Sequence, residues 1–344
     1  MRRFHCPASG RLLCQLSGAV TRRNEPFWGW TYSFVLDCPD CGREHDSLDR
    51  AEHEGVHPWH AGGVAKGLSA ETFLPRYPQV RLERVPLEAV DDAAVDAAWS
   101  AIADLWDSKY DDRGDLNRRF QSDPVLFRML GDVAGRRVLD AGSGQGYLCR
   151  LLARRGAEMT GVENAARFIE LALDYQRRDP LPIHYLKGSI SAMPGLANAS
   201  FDLAVANYVL MDVPDFEGAF QELARVLRPG GVLVASLSHQ SLDFGWLLAA
   251  PDSPRREDRL AWTDDDYFVR RSSWISWPGM EPFLSFHRPL KDYIAAARSA
   301  GLALTDLDEP ELSDEGRELL GPDEVRRSRR APVSYVLRFE KPPA

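Results

Sequence analysis

The feature that most constrains the fold is a glycine-rich turn that follows a short apolar strand and opens a helix. Glycine occupies alternate positions here, at Gly142, Gly144 and Gly146. Without a Cβ atom, the backbone can pass close under a ligand and present its amide groups to it. A dinucleotide-binding turn would place its last glycine three positions after the second and would cradle a pyrophosphate. Asp140 stands just before this turn, so the pattern favours an ammonium group over a phosphate.

Short apolar segments alternate with helical ones along the rest of the chain. The segments typical of strands are 137–140, 158–163, 183–187, 203–206, 232–236 and 332–341, and those typical of helices are 87–107, 115–131, 146–155, 165–177 and 215–228. Apolar strands that alternate with helices predict a parallel sheet covered on both faces. The predicted fold class is therefore α/β with a doubly wound, mostly parallel sheet.

Composition excludes several classes of protein. The 344 residues suggest about two domains, and no apolar run approaches the roughly 20 residues that span a bilayer. The net charge of −9 argues against a protein whose main role is to bind nucleic-acid phosphates, although it does not exclude a local basic patch. We expect a globular protein in the cytoplasm that contacts no membrane; its oligomeric state is not predicted.

Acidic and polar residues follow the next strands at regular intervals. Glu163 ends the second strand, where an acid can accept both hydroxyls of a ribose. The third strand runs into Gly188 and Ser189, and the fourth ends at Asn207 and Tyr208. With this order of motifs, residues 105–341 resemble the class I S-adenosylmethionine-dependent methyltransferases.

The resemblance implies a seven-stranded Rossmann-like sheet and S-adenosylmethionine as cofactor. The residues that it assigns to the cofactor are Asp140, Gly142, Gly144, Gly146, Tyr147, Glu163, Ser189, Ile190 and Asn207. One position departs from the pattern, because many relatives carry an Asp where this chain has Ser189. The resemblance also implies an aligned acceptor beside the transferred methyl group.

A segment at about 239–282 is rich in aromatic residues and predicts a lid over an apolar pocket. Candidate catalytic residues near it are His239, His287 and Tyr208, with Asp212 as an alternative base. The predicted function is methyl transfer to a small molecule, such as a specialised metabolite. An RNA- or protein-modifying methyltransferase is the alternative, and a regulator without catalysis is a third class.

The first 60 residues hold four of the five cysteines, at Cys6, Cys14, Cys38 and Cys41. A Cys-x-x-Cys pair supplies half of a tetrahedral metal site, and the segment resembles a zinc ribbon. We therefore predict a small β-rich zinc-ribbon-like domain at 1–60 with a structural Zn2+, a linker at 61–86 and the methyltransferase domain at 87–344. A decayed site and redox-active cysteines are the alternatives. Residues 1–24 contain five arginines, which are compatible with a nucleic-acid partner.

Overall fold

The structure, a computed structural model, divides the chain into two compact units, of which one comprises residues 1–78 and 245–265 and the other residues 79–244 and 266–344. The residues that it describes are 2–5, 12–16, 35–38, 43–46, 81–85, 90–108, 114–115, 117–239, 267–276, 281–319, 332 and 334–343. Within these ranges, no helix combines the length and the apolar character needed to cross a bilayer.

The first unit contains two small antiparallel sheets. Strand β1 (Arg2–His5) pairs with β2 (Leu12–Leu16), and β3 (Val35–Cys38) pairs with β4 (Arg43–Asp46). The predicted zinc ligands fall largely outside what is described: Cys6 and Cys41 lie beyond the described residues, and of Cys14 and Cys38 the backbone alone is described. Within the described ranges, no three His, Cys, Asp or Glu side chains are grouped to hold a metal. The zinc site stays a prediction.

The second unit is built on a seven-stranded sheet. Its strands are β6 (Arg137–Ala141), β7 (Glu158–Glu163), β8 (Ile183–Lys187), β9 (Phe201–Asn207), β10 (Leu227–Ser238), β13 (Ala303–Asp308) and β14 (Ser334–Glu340). They lie in the order β13-β14-β10-β9-β6-β7-β8, and β14 alone among them runs antiparallel to its neighbours. The predicted doubly wound, mostly parallel seven-stranded sheet is confirmed.

Helices cover both faces of this sheet. The described α-helices of this unit are α1 (Asp92–Asp107), α2 (Asp123–Leu130), α3 (Tyr147–Ala153), α4 (Ala166–Arg178), α5 (Phe216–Val226), α6 (Leu290–Ser299) and α7 (Asp314–Leu319). Of these, α1 packs on α4 and α7 on the π-helical segment 118–122 rather than on the sheet. Adjacent strand residues point to opposite faces, so Val138 packs with the core under α2 and α3, whereas Leu139 packs with the core under α5 and α6. Burial on both faces explains why the central strand β9 and residues 232–237 of β10 are almost continuously apolar.

The second unit also contains a three-stranded antiparallel sheet. It consists of β5 (Arg81–Val85), β11 (Arg271–Ser276) and β12 (Phe283–His287), with β11 in the centre. Strand β5 falls within the segment 61–86 that the sequence predicts as a linker. Its partner lies far along the chain, so no local pattern marks it as a strand. Of the predicted lid at 239–282, residues 240–266 and 277–280 lie outside the described residues.

The segment 115–131, which the sequence predicts as one helix, contains a π-helix followed by an α-helix. The π-helix spans Arg118–Ser122, and α2 begins at Asp123. Pro124 has no N–H group to donate to the carbonyl of Phe120, as a regular α-helix would require. That carbonyl instead accepts a hydrogen bond from the Ser313 amide at 2.7 Å. The missing donor and the outside partner together explain the local widening of the helix.

Arg288 is fully buried between the three-stranded sheet and the loop that follows β9. Its guanidinium donates to the carbonyls of Leu210, Val213 and Pro214 at 3.1, 2.7 and 3.0 Å. The rings of Phe216 and Phe286 flank it, with centroids at 4.3 and 4.7 Å. Burial lowers the pKa of Arg288. Three carbonyl partners offset the cost of burying this cation and hold the loop in place.

An Arg288→Met variant should therefore lose about 3 kcal/mol of unfolding free energy, because three buried carbonyls lose their donor. Urea unfolding followed by circular dichroism measures the loss. Arg128→Met is the matched control, since Arg128 pairs with Asp306 and Asp308 while 54% of its side chain stays exposed. The control should lose less than about 1 kcal/mol. Equal losses in the two variants would contradict a supporting role for Arg288.

Candidate functional site

A cavity opens where the carboxyl ends of β6, β7, β8 and β9 meet, the position at which ligands bind in open α/β sheets. Ten residues that the sequence predicts for the site line its wall: Asp140, Gly142, Gly144, Tyr147, Glu163, Ser189, Ile190, Asn207, Tyr208 and the alternative base Asp212. Gly146 is described but is not part of this lining; it precedes α3 behind the wall. The fold thus brings together residues from four strand ends, while their contacts to a ligand stay predictions.

The glycine turn is shaped by close packing. Gly142, Gly144 and Gly146 all have positive φ, at 75°, 55° and 83°. A Cβ atom on Gly142 would lie 2.3 Å from Val209 Cγ2, and one on Gly146 would lie 2.2 Å from Tyr185 Oη. At Gly144 a Cβ atom would meet nothing within 4 Å, so its backbone faces open space in the cavity. Glycine is therefore required by contacts at two positions and by backbone conformation at all three.

Glu163 ties this turn to the end of β7. Its carboxylate accepts a hydrogen bond from the Gly144 amide at 2.8 Å and one from the Ala165 amide at 2.7 Å. Burial raises the pKa of Glu163, and the two amide donors partly oppose that shift. In this arrangement the carboxylate both lines the cavity and holds the glycine turn against the neighbouring strand.

Asp140 is a second buried carboxyl at the cavity wall. It is 2% exposed and accepts a hydrogen bond from the Cys149 thiol at 3.2 Å. Burial raises the pKa of Asp140 to about 7, and the nearby carboxyls of Glu163 and Asp123 add to the shift. A carboxyl whose charge is disfavoured in this way gains most from a cationic partner. The surroundings of Asp140 suit the ammonium group that the sequence predicts.

A buried polar chain reaches the cavity from α2. The Tyr147 hydroxyl lies 3.4 and 3.5 Å from the two carboxylate oxygens of Asp123, and it accepts a hydrogen bond from Asn207 Nδ2 at 2.6 Å. Burial raises the pKa of Asp123 to about 7. Asp123 is not identified by the sequence reasoning, because a carboxylate before a proline at a helix start is an ordinary surface pattern.

Arg118 and Tyr208 form the next part of the wall. Arg118 stands at the start of the π-helix, and its guanidinium lies over the Tyr208 ring at 4.7 Å. Tyr208 is one of two non-glycine residues with positive φ among those described, and its hydroxyl accepts a hydrogen bond from Asn117 at 3.3 Å. Burial raises the pKa of Tyr208. Strained backbone and π-helical turns both concentrate at functional sites; the sequence offers no signal for Arg118.

Helix α1 supplies an apolar side of the cavity through Trp99 and Trp106, whose rings meet edge to face at 5.5 Å. Asp96 anchors this helix: its carboxylate accepts from the Ala166 amide at 2.8 Å and pairs with Lys187 at 2.9 Å. These contacts join α1 to the start of α4 and to the end of β8. Aromatic side chains at this place offer a surface on which a flat ring can stack.

The two histidines that the sequence predicts as catalytic lie away from the described cavity lining. His239 Nε2 lies 3.2 Å from Glu309 Oε1, its ring stacks on Tyr335 at 4.2 Å, and burial lowers its pKa. His287 Nε2 donates to the Tyr267 carbonyl at 2.8 Å. Tyr208, the third candidate, does line the cavity. A catalytic role for any of the three stays a prediction.

The open space at Gly144 and the buried carboxyls of Asp140 and Glu163 fit a ligand that carries an ammonium group and hydroxyls. S-adenosylmethionine carries both groups.

Comparisons with known proteins point to the same chemistry. Residues 139–235 match the family model described as a methyltransferase domain. The chain is 33% identical to a malonyl-[acyl-carrier protein] O-methyltransferase from Enterobacter lignolyticus, over 65% of this chain and 84% of that protein. It is 39% identical to a ubiquinone biosynthesis O-methyltransferase from Methylocella silvestris, over 32% of this chain and 43% of that protein.

A solved structure agrees on the fold. An S-adenosylmethionine dependent methyltransferase from Mesorhizobium loti superposes with a TM-score of 0.51 at 23% identity. The match covers 63% of this chain and 96% of that one. At this level of identity the likeness concerns the fold alone.

The buried carboxyl of Asp140 predicts a pH-dependent stability of the ligand-free protein. Its pKa is raised in the folded state, so between about pH 4 and pH 7 the unfolded chain releases a proton that the folded chain retains. Its contribution to folding therefore becomes less favourable as pH rises. Wild type should lose roughly 2–3 kcal/mol relative to Asp140→Asn between pH 5 and pH 8, measured by urea unfolding.

Asp202→Asn is the matched control, because hydrogen bonds from Arg137 and Arg228 lower the pKa of Asp202 and keep it ionised at both values. Its stability difference from wild type should not change between pH 5 and pH 8. A pH-independent difference for Asp140→Asn as well would show that the carboxyl at 140 is ionised throughout this range.

Proposed function

Because the chain belongs to the class I S-adenosylmethionine-dependent methyltransferases, we propose that it transfers a methyl group to an oxygen atom of an acidic small molecule. The observation that carries the proposal is the cavity at the strand ends, which holds buried carboxyls at one part of its wall and Arg118 at another. S-adenosylmethionine supplies an electrophilic methyl group when it is bound. The residues of the wall then have to hold an acceptor oxygen in line with it.

The division of charge within the cavity supports this assignment. Asp140, Glu163 and Asn207 would take the amino-acid and ribose parts of the cofactor, and the aromatic side chains of α1 would contact its adenine. Among the lining residues that the structure describes, Arg118 is the one that carries a positive charge. Its guanidinium lies over the Tyr208 ring at 4.7 Å and pairs with the Asp115 carboxylate. A guanidinium there favours an acceptor with a carboxylate or an ionised phenol.

An acidic acceptor also simplifies the chemistry required of the protein. An ionised oxygen would take the electrophilic methyl group that bound S-adenosylmethionine supplies without first giving up a proton, and the thioether S-adenosylhomocysteine would be the leaving group. The protein then contributes mainly alignment, with the reacting atoms about 3 Å apart. The relatives named above are O-methyltransferases, which supports oxygen as the accepting atom.

The proposal predicts methylation of a low-mass acidic acceptor. Wild type is incubated with S-adenosylmethionine and three acceptor sets: carboxylic acids, free or as malonyl thioesters; catechols and other phenols; and total RNA or protein. Mass spectrometry should find a gain of one methyl group in a member of the first two sets. Base-labile products identify esters and base-stable ones identify ethers. Methylation confined to RNA or protein would contradict the proposal.

An Arg118→Met variant should raise KM for the acidic acceptor about tenfold or more, because a charged hydrogen bond to the acceptor is lost. Its affinity for S-adenosylhomocysteine, measured by calorimetry, should stay within about twofold of wild type. The control is Arg119→Met, since Arg119 pairs with Glu315 outside the described lining. An unchanged KM in Arg118→Met would show that the positive charge of Arg118 does not bind the acceptor.

We also propose that the first unit binds one structural zinc ion through Cys6, Cys14, Cys38 and Cys41. The described backbone supports this, because both cysteine pairs fall at paired strands: Cys14 lies in β2, and Cys38 ends β3 five residues before β4 begins. Elemental analysis of the purified protein should give about one zinc per chain. Cys41→Ser should lose it, whereas Cys149→Ser should keep it. Zinc-free, folded wild type would contradict the site.

A further inference from the structure

Tyr208 stands directly after β9 with a backbone conformation that few tyrosines adopt. Its φ is 54°, in the left-handed region that disfavours side chains other than glycine. Its amide is held in place, since it donates to the Ser236 carbonyl on β10 at 3.0 Å. Strain of this kind persists only where the surrounding structure fixes it. The contacts of the Tyr208 side chain show what this conformation achieves.

The hydroxyl of Tyr208 is buried among groups of the protein. Asn117 Nδ2 donates to it at 3.3 Å. Burial raises the pKa of Tyr208, and the nearby hydroxyls of Ser122 and Ser334 oppose that shift. Both serines are fully buried. Protein groups therefore occupy the space where an acceptor would have to stand to give its proton to this oxygen.

Two of the groups around the hydroxyl belong to the ends of the π-helix. Asn117 directly precedes this five-residue segment, and Ser122 is its last residue. Hydrogen bonds within such a helix are less regular than those of an α-helix, so contacts from outside matter more for its shape. The Tyr208 hydroxyl thus supports both ends of the segment that carries Arg118.

The ring of Tyr208 supports Arg118 itself. The guanidinium of Arg118 lies over the ring, 4.7 Å from its centroid. The Asp115 carboxylate accepts a hydrogen bond from the Arg118 amide at 2.8 Å and pairs with the guanidinium. The Arg118 side chain is 13% exposed, so little water weakens either contact. A long side chain held in this way loses most of its rotamer entropy before any ligand binds.

We propose that Tyr208 is a positioning residue that holds the guanidinium of Arg118 ready for an acidic acceptor, directly through its ring and indirectly through its hydroxyl at the ends of the π-helix. In this role Tyr208 takes no proton from the acceptor. The inference rests on the proposed function for the nature of the acceptor. It also accounts for the strained backbone, because contacts at both parts of the side chain offset the cost of the left-handed conformation.

The first test measures the position of Arg118 and needs no ligand. Phenylglyoxal reacts with arginine side chains, and mass spectrometry of peptides gives the rate at each arginine. Tyr208→Leu removes the ring and should raise the rate at Arg118 about fivefold, the factor that a lost cation–π contact represents. Tyr208→Phe keeps the ring and should stay within about twofold of wild type. An unchanged rate at Arg118 in Tyr208→Leu would overturn the proposal.

Phe127→Leu is the matched control. The Phe127 ring lies under the Arg155 guanidinium at 3.7 Å, and both residues are outside the described cavity lining. The control should react faster at Arg155 and at the wild-type rate at Arg118. A faster reaction at Arg118 in this variant as well would show a general loosening of the protein, which contradicts a specific role for Tyr208.

The second test is kinetic and uses the carboxylic acid or phenol that wild type methylates in the acceptor screen described above. Tyr208→Leu should raise KM about fivefold. In Arg118→Met protein the same change should raise KM less than about twofold further, because the group that Tyr208 positions is already absent. Tyr208→Phe should keep the wild-type kcat and its pH profile, whereas loss of a general base would lower kcat about a hundredfold or more.

Two kinetic results would overturn the proposal: a KM in the double variant that multiplies the effects of the two single changes, or a hundredfold loss of kcat in Tyr208→Phe. Both leave the proposed function standing, because wild type still methylates the acceptor. If wild type methylates no acidic small molecule, the proposed function fails, and the reaction with phenylglyoxal still tests whether Tyr208 positions Arg118.

Discussion

The site depends on how closely the turn after β6 is held against its two neighbouring strands. On one side, Val209 approaches Gly142 so closely that a Cβ atom there would lie 2.3 Å from it. On the other side, Glu163 accepts the Gly144 amide at 2.8 Å. The turn is thus clamped between the residues that follow β9 and the end of β7. This clamp sets the floor of the cavity, and it leaves the backbone of Gly144 facing open space.

Around this floor, several polar and charged side chains of the second unit are buried, which costs desolvation free energy. Most of them have hydrogen-bond partners. Arg288 is surrounded by three carbonyls and two rings, and it holds the loop that lines the cavity beyond β9. Asp140 and Asp123 are less fully compensated, and burial raises the pKa of each to about 7. Carboxyls in that condition stabilise the folded protein less than exposed ones would, so they are expected where a ligand repays the cost. The cation behind the loop is thus compensated by groups of the protein, whereas the carboxyls beside the cavity are candidates for contacts with a ligand.

Much of the fold could be predicted because its signals are local. Strands β7 and β8 begin and end at the predicted residues, since each is a short segment bounded by glycine, proline or charge within the alternation of strands and helices. The strand at Arg81–Val85 escaped prediction because its partner, β11, lies almost two hundred residues away, and pairing rather than composition makes it a strand. The π-helix at Arg118–Ser122 escaped for a related reason. Pro124 removes a donor locally, but the Ser313 amide that replaces it comes from the other end of the chain.

For the site, the sequence by itself determined the glycine turn, the acid at the end of β7 and the polar residue at the end of β9. These follow from residue types that must stand at strand ends, and strand ends can be read from a one-dimensional pattern. The class of cofactor came from the resemblance of these motifs to a known family. The tertiary structure decided which other side chains reach the cavity: it placed Arg118, Asp123 and the tryptophans of α1 on or behind its wall, and it gave His239 and His287 partners away from the described lining. The physical reason is that burial, hydrogen-bond direction and charge proximity depend on which distant segments pack together, and no local spacing encodes them.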